Sequence, residues 1–131
     1  MTDKIESYLC GEWQFGSGSG STLVNPATEE VVAVADTIGL DFKAGLDFAR
    51  QKGGSVLREM TFAARAELLQ KMSSALHAAR EDLIESAVLN GGGTRSDAKF
   101  DVDGAIGTLA AYAAFGKELG ETKILPDGDG I

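Results

Sequence analysis

The chain has 131 residues, of which 12 are Lys or Arg and 20 are Asp or Glu, giving a net charge of −8. A single domain is the upper limit at this length, and it buries about two-thirds of the surface of its unfolded chain. The negative charge disfavours nucleic acid phosphates and anionic membranes as partners.

Localisation signals are few. Cys10 is the only cysteine, so the chain forms no internal disulfide, as is typical of proteins in a reducing compartment. The sequence has no apolar run of about 18 residues that would span a membrane. The N-terminus lacks the apolar core of a signal peptide. We therefore expect a cytoplasmic protein.

Residues 1–36 are predicted to form a small antiparallel β-meander. The segment 8–13 is short and partly alternating, as expected of a strand, and 22–24 forms a second strand. Segment 25–29 is a turn, since its proline has no N–H for a strand ladder. The β-branched residues of 30–35 predict the third strand.

Helices are predicted for the rest of the chain. Asp41 is a good N-cap for the first helix, and Gly53 and Gly54 are predicted to end it. Thr61 is predicted to cap the next helical region, where an apolar stripe repeats every three or four residues and indicates one helix or two with a break near Arg80. The stripe consists of Phe62, Ala66, Leu69, Met72, Leu76, Ala79 and Leu83.

A final helix is predicted after Asn90 and Gly91 end this pattern. Ser96 is its candidate N-cap and Gly120 its predicted C-terminal stop. Five residues are predicted to share one face of this helix: Val102, Ile106, Leu109, Tyr112 and Ala113. The segment 121–131 ends in mid-pattern, so we expect a truncated chain.

The residues that might carry chemistry favour structural roles. His77 is the only histidine and lies inside the long helical pattern, so it is predicted to be a surface or packing residue. Cys10 lies in a predicted strand without a helix N-terminus or cations nearby, so a buried, unreactive thiol is favoured.

The glycine clusters do not match phosphate-binding loops. The cluster at 16–20 precedes a strand and the one at 91–93 follows a helix, whereas a dinucleotide loop follows a strand and opens a helix. Asp101 and Asp103 are two residues apart and point in different directions on a helix, so they do not form a carboxylate pair. A solvated carboxylate is favoured for Asp101 over a cation ligand.

The order of the elements nevertheless resembles the N-terminal part of the aldehyde dehydrogenase superfamily. The matching pieces are Gly11-Glu-Trp, Val24-Asn-Pro-Ala-Thr-Glu-Glu-Val-Val, Asp47-Phe-Ala-Arg, Arg65-Ala-Glu-Leu-Leu and Ala111-Tyr-Ala. Where most of that family has Glu-Thr-Gly-Lys, this chain has glycines at 91–93 and then Asp101-Val-Asp-Gly. That departure resembles the branch that oxidises coenzyme A-linked semialdehydes in aerobic phenylacetate and benzoate breakdown.

The resemblance implies an α/β fold within a larger, oligomeric enzyme that uses NAD or NADP. This chain would be the N-terminal portion of its cofactor-binding domain, with a β-meander at 1–36, helices at 37–120 and an exit segment toward the oligomerisation strands at 121–131. No catalytic or cofactor-binding residue of the family maps onto this chain, and Cys10 is not the catalytic cysteine.

Some relatives bind a structural monovalent cation, which by position implies Leu23, Val24 and Asp101 as ligands here. The partner expected for this segment is the remainder of its own polypeptide, which would cover an exposed apolar stripe. The alternative is a self-sufficient helical module that uses Leu69, Met72 and Leu76 to bind a separate protein.

Overall fold

The structure is a computed structural model that describes residues 3–125. Its N-terminal part contains the strands β1 (Lys4–Ile5), β2 (Ser7–Leu9), β3 (Glu12–Gln14), β4 (Ser21–Val24) and β5 (Val31–Ala35). The helices are α1 (Phe42–Phe48), a π-helical segment (Ala49–Gly54), α2 (Ser55–Glu59), α3 (Phe62–Ala78), α4 (Arg80–Gly91) and α5 (Arg95–Leu119). Within this described range, no helix is both long enough and apolar enough to cross a membrane.

The predicted single meander is two separate sheets. Strands β4 and β5 pair in antiparallel fashion as predicted, but β1 adds to the other edge of β5 in parallel, giving the order β1-β5-β4. The segment predicted as one strand at 8–13 is instead a hairpin of β2 and β3. The reason is local, since Cys10 (φ 55°) and Gly11 (φ 91°) both adopt the positive φ that a tight two-residue hairpin turn requires.

Cys10 is therefore exposed at the hairpin tip, and the prediction of a buried thiol is wrong. The hairpin is fixed by a cross-strand pair, in which the Tyr8 and Trp13 rings lie 5.0 Å apart, centroid to centroid. Leu9 on the opposite face lies over Gly45 of α1, where an added Cβ would lie 3.2 Å from the leucine Cδ2 atom. The hairpin thus packs against the first helix.

The helix boundaries follow local capping chemistry. Asp41 accepts a hydrogen bond from the Ala44 amide at 2.8 Å and Thr61 accepts one from the Ala64 amide at 3.1 Å, confirming both predicted N-caps. The break in the apolar stripe falls at Ala79, as predicted near Arg80. Gly120 (φ 67°) caps the end of α5, as predicted.

Two predicted boundaries are wrong. Gly53 and Gly54 do not end the first helical region, because the backbone continues through a π-helical turn in which the Ser55 hydroxyl donates to the Gln51 and Lys52 carbonyls. Ser96 is not the cap of α5. Thr94 has that role, since its hydroxyl accepts from the Asp97 amide and donates to the Asp97 carboxylate at 2.7 Å.

Helices α3 and α5 form the main packing unit. Their order is antiparallel, because the Ala63 amide at the start of α3 donates to Gly120 O beyond the end of α5, while Ser73 Oγ in mid-helix donates to Ile106 O at 3.0 Å. Between these two contacts the helices approach closely at Gly116, where an added Cβ would lie 2.9 Å from the Ala66 Cβ. Because glycine and alanine are both small, the axes of the two helices can approach closely at this point.

Helix α4 is joined to α5 by a cluster of charges. The Arg80 guanidinium contacts both oxygens of Asp103, at 2.6 and 2.9 Å, and Glu81 pairs with both Arg80 and Arg95. The hydrogen bond from Arg80 is the main cause that lowers the pKa of Asp103 below its ordinary value of 3.8. The pair lies at the surface, with 44% of the Asp103 side chain exposed, so solvent screens it.

The close approach at Gly116 gives a first prediction. Gly116→Val should destabilise the fold by about 2 kcal/mol, because the new methyl groups meet the Ala66 side chain and the Phe62 carbonyl. Gly107→Val is the matched control, since its Cβ meets nothing within 4 Å on the same helix. Urea unfolding would measure the difference, and equal midpoints for the two variants would contradict the assigned contact.

The Arg80–Asp103 pair gives a second prediction. Because the folded pKa of Asp103 is lowered, its contribution to stability is present above pH 3.8 and is lost as the pH falls through the folded pKa. Arg80→Gln should therefore reduce the acid dependence of the urea midpoint. The slope should not vanish, because the pKa values of Asp36 and Glu59 are also lowered. An unchanged acid slope in Arg80→Gln would show that the pair adds nothing to stability.

Candidate functional site

The residues considered as catalytic groups in the sequence are dispersed. His77 is exposed in the last turn of α3, as a surface role predicts, and Cys10 is at the hairpin tip. Across residues 3–125 no group of three or more His, Cys, Asp or Glu side chains is placed to hold a metal. His77 and Cys10 therefore lie on different elements, and the absence of catalytic residues from this chain stays a prediction.

Both glycine clusters contain glycines that pack against other segments of the chain, namely Gly16 and Gly18 in the first and Gly92 in the second. The loop before β4 closes on Lys4 and Asp36, and Gly92 ends α4 with φ 64°. Neither follows a strand and opens a helix, so neither fits the phosphates of a dinucleotide. NAD or NADP thus has no fitting site among the glycine-rich segments that the structure describes.

The residues implied as cation ligands lie on different elements. Leu23 and Val24 are at the end of β4, beside a register shift in its pairing with β5, and Asp101 is exposed in the second turn of α5. Helix α5 makes its extensive contacts with α3 and α4, and β4 makes its own with β5. The involvement of Leu23, Val24 and Asp101 in cation binding stays a prediction.

An apolar groove between α3 and α5 is the best-formed candidate interaction site. Its volume is about 350 Å³, and Arg65 is its only charged lining residue. The Arg65 guanidinium lies 4.4 Å from the Phe62 ring centroid and donates to Lys123 O at 2.6 Å. Its charge therefore already interacts with groups of this chain. The other lining residues are Phe62, Ala66, Leu69, Tyr112, Phe115, Gly116 and Leu119.

Two aromatic side chains at the groove are exposed to solvent, although residues of this type are usually buried in a hydrophobic core. Tyr112 is 62% exposed and Phe115 57% exposed, with their rings in edge-to-face contact at 6.0 Å. The face of α5 predicted from the sequence includes Tyr112 together with Ile106 and Ala113. Ile106 and Ala113 are buried against the neighbouring helices, whereas Tyr112 lies at the open edge of that face.

The predicted stripe of α3 is only partly exposed. Leu69 and Leu76 are half-buried, whereas Met72 is 52% exposed. Of these, Leu69 lines the groove and Met72 does not. The exposed apolar surface thus depends on residues from two helices, which the pattern of α3 alone does not indicate.

The chain exposes more surface than a compact monomer of the same mass. The accessible area is 9522 Å² at 13.7 kDa, whereas a compact monomer of that mass exposes about 6,600 Å². One side of a standard protein–protein interface buries about 800 Å², so the excess exceeds a typical interface. The fold thus resembles one layer of a larger packed body.

The Gly91–Gly93 run has a packing role that its sequence does not reveal. An added Cβ on Gly92 would lie 2.6 Å from Pro26 Cγ and 3.0 Å from the Ala27 amide nitrogen. Asn25 is buried there and its Oδ1 accepts from the Ala27 amide at 2.9 Å, which fixes the turn that meets the glycine. The junction between α4 and α5 therefore docks on the Asn-Pro turn of the β-sheet.

The sequence is similar to those of known aldehyde dehydrogenases. The model of the "Aldehyde dehydrogenase family" matches residues 13–130. A 3,4-dehydroadipyl-CoA semialdehyde dehydrogenase from Aromatoleum evansii is 38% identical over 125 residues, covering 95% of this chain and 24% of the relative. A putative aldehyde dehydrogenase, AldY, from Bacillus subtilis is 28% identical over 123 residues, covering 92% of this chain and 25% of the relative.

Solved structures show the same fold. An NAD-dependent benzaldehyde dehydrogenase from Corynebacterium glutamicum superposes with a TM-score of 0.76 at 23% identity, covering 86% of this chain and 25% of that one. A variant of aldehyde dehydrogenase from Bacillus cereus gives 0.69 at 27% identity, covering 86% and 24%. The chain spans about a quarter of the length of the relatives it matches. By its sequence and its fold, the chain belongs to the aldehyde dehydrogenase family.

Proposed function

We propose that this chain is the N-terminal portion of the cofactor-binding domain of an NAD- or NADP-dependent aldehyde dehydrogenase. The whole protein would oxidise an aliphatic semialdehyde carried on a coenzyme A thioester to the acid, in aerobic phenylacetate or benzoate catabolism. The observation that carries this proposal is the 38% identity, over 95% of the chain, to a 3,4-dehydroadipyl-CoA semialdehyde dehydrogenase.

The role of this segment within the whole protein would be structural. Among residues 3–125 no group of three or more His, Cys, Asp or Glu side chains is placed to hold a metal, and Gly16, Gly18 and Gly92 pack closely against neighbouring residues. They carry instead an excess of accessible surface and an apolar groove between α3 and α5. We therefore propose that the groove is covered by the remainder of the same polypeptide. We also propose a cytoplasmic oligomer, in keeping with the single cysteine.

The first test separates the segment from the whole enzyme. Calorimetric titration of the 131-residue chain with NAD and with NADP should show no binding, because neither glycine cluster fits the phosphates of a dinucleotide. The whole protein should bind one of the two and reduce it when 3,4-dehydroadipyl-CoA semialdehyde is added, as followed by nicotinamide absorbance. The matched control is the free semialdehyde without coenzyme A, which should be oxidised more slowly.

Each part of this test can fail separately. Binding of either dinucleotide to the 131-residue chain would contradict the structural role proposed for the segment. Oxidation of both semialdehydes at the same rate would leave an aldehyde dehydrogenase but remove the coenzyme A specificity. No turnover of either substrate by the whole protein would overturn the proposed reaction.

The second test measures whether the groove is covered. In a Cys10→Ser background, the thiol of Phe115→Cys should react with an alkylating reagent at least about tenfold more slowly in the whole protein than in the 131-residue chain. Lys43→Cys is the control, since Lys43 is 84% exposed on α1 and should react equally in both. Mass spectrometry of the peptide that contains each cysteine quantifies the two rates.

The same measurement distinguishes the alternative of a helical interaction module. A module that binds a separate protein would leave the Phe115→Cys thiol equally reactive in the chain and in the whole protein. Protection would then require an added partner. That result would contradict coverage by the chain's own polypeptide while leaving family membership intact.

A further inference from the structure

The ammonium group of Lys4 is enclosed by oxygen atoms from two distant segments. Its Nζ donates to Gly16 O at 2.6 Å, to Gly18 O at 2.9 Å and to Asp36 Oδ2 at 2.9 Å. A lysine ammonium has three N–H donors, so this arrangement uses all of them. The strand β1 that carries Lys4 is only two residues long. These hydrogen bonds add to its strand pairing and join it to the loop at 16–18 and to Asp36.

The carboxylate of Asp36 is built into this arrangement. Its side chain is 1% exposed, and the second oxygen, Oδ1, accepts from the Ile38 amide at 3.0 Å. A buried carboxylate is costly unless it is paired and hydrogen-bonded, and here both conditions are met. The hydrogen bond from Lys4, followed by that from the Ile38 amide, lowers the pKa of Asp36, so the group carries its negative charge at neutral pH.

The two glycines allow their carbonyls to reach the same point. An added Cβ on Gly16 would lie 2.5 Å from Asp36 Cγ, and one on Gly18 would lie 2.6 Å from Ile38 Cδ1. Between them, the amide and the hydroxyl of Ser17 both donate to Ile38 O, at 2.8 and 3.1 Å. The alternation of glycine and serine in this loop is therefore required by close packing on residues 36–38.

We propose that Gly16 O, Gly18 O and the Asp36 carboxylate form a monovalent-cation site, of which the Lys4 ammonium is the built-in occupant. Backbone carbonyl and carboxylate oxygens are the ligands that hard cations prefer. One carboxylate balances one positive charge, whereas Ca²⁺ takes six to eight oxygens and Mg²⁺ requires near-octahedral geometry. An ion of about the size of ammonium or K⁺ therefore fits once the lysine side chain is removed.

This site is distinct from the one that the family resemblance implies at Leu23, Val24 and Asp101. It shares no ligand with that set and uses oxygens on either side of β4 and β5. It also does not depend on the proposed reaction, because each contact lies within this chain. Its consequence is a loop whose closure needs no ion from solution as long as Lys4 is present.

The test removes the internal cation and supplies an external one. Lys4→Met keeps the aliphatic stem but deletes the charge, so hydrogen exchange across residues 15–24 should speed up by about 10- to 100-fold in choline chloride. Ammonium chloride or potassium chloride at the same ionic strength should restore at least half of the lost protection, because these ions are small enough to enter. The unmodified chain should exchange at one rate in all three salts.

A double variant tests whether the effect depends on the carboxylate. Lys4→Met combined with Asp36→Asn should not respond to ammonium or K⁺, since the negative charge is gone. Equal recovery of Lys4→Met in choline and in ammonium would indicate general screening and overturn the proposal. Exchange that is unaffected by the substitution, or unaffected by every salt, would overturn it as well.

A measurement on the unmodified protein covers the case in which Lys4→Met fails to fold. Acetylation by a limiting reagent should modify Lys4 at least about tenfold more slowly than Lys43, because the Lys4 ammonium must first leave its oxygens. Lys43 is a matched control, since it pairs with Asp47 at 2.7 Å while remaining 84% exposed. Equal rates at the two lysines would overturn the proposal without any variant.

Discussion

The close antiparallel contact of α3 and α5 is the interaction on which the rest of this structure depends. Gly116 brings α5 near enough to α3 for Ala66 to be almost completely buried, and Ser73 joins the two helices again near the middle of α5. Helix α4 then lies against α5, and the Arg80–Asp103 pair holds it there. The sheet region reaches this helical unit through the Asn25-Pro26 turn.

The helical unit has a thin core. The buried apolar residues within the described range are mostly small: Ala33, Ala66, Ile84, Ala98, Ile106 and Ala113. Small residues let backbones approach closely, but each removes little apolar area from water and so contributes little to stability. The large aromatic side chains of Tyr112 and Phe115 remain in solvent. Burying them would add hydrophobic stabilisation to this part of the fold.

Local chemistry accounts for what the sequence predicted correctly. The caps at Asp41 and Thr61 were predictable because a cap requires only its own side chain and an amide two or three residues on. The choice of Thr94 over Ser96 depends on the reciprocal bond with Asp97, so composition alone did not decide it. The groove depends on how two helices are rotated against each other. No periodicity within one helix determines that rotation.

The contact between Gly92 and Pro26 bears on how family membership is inferred from short motifs. The two residues are 66 positions apart in sequence, yet the missing Cβ of the glycine is the space that the proline ring fills. A substitution at either position changes what the other can be. Matches to the Asn-Pro turn and to the glycine run therefore report one packing constraint.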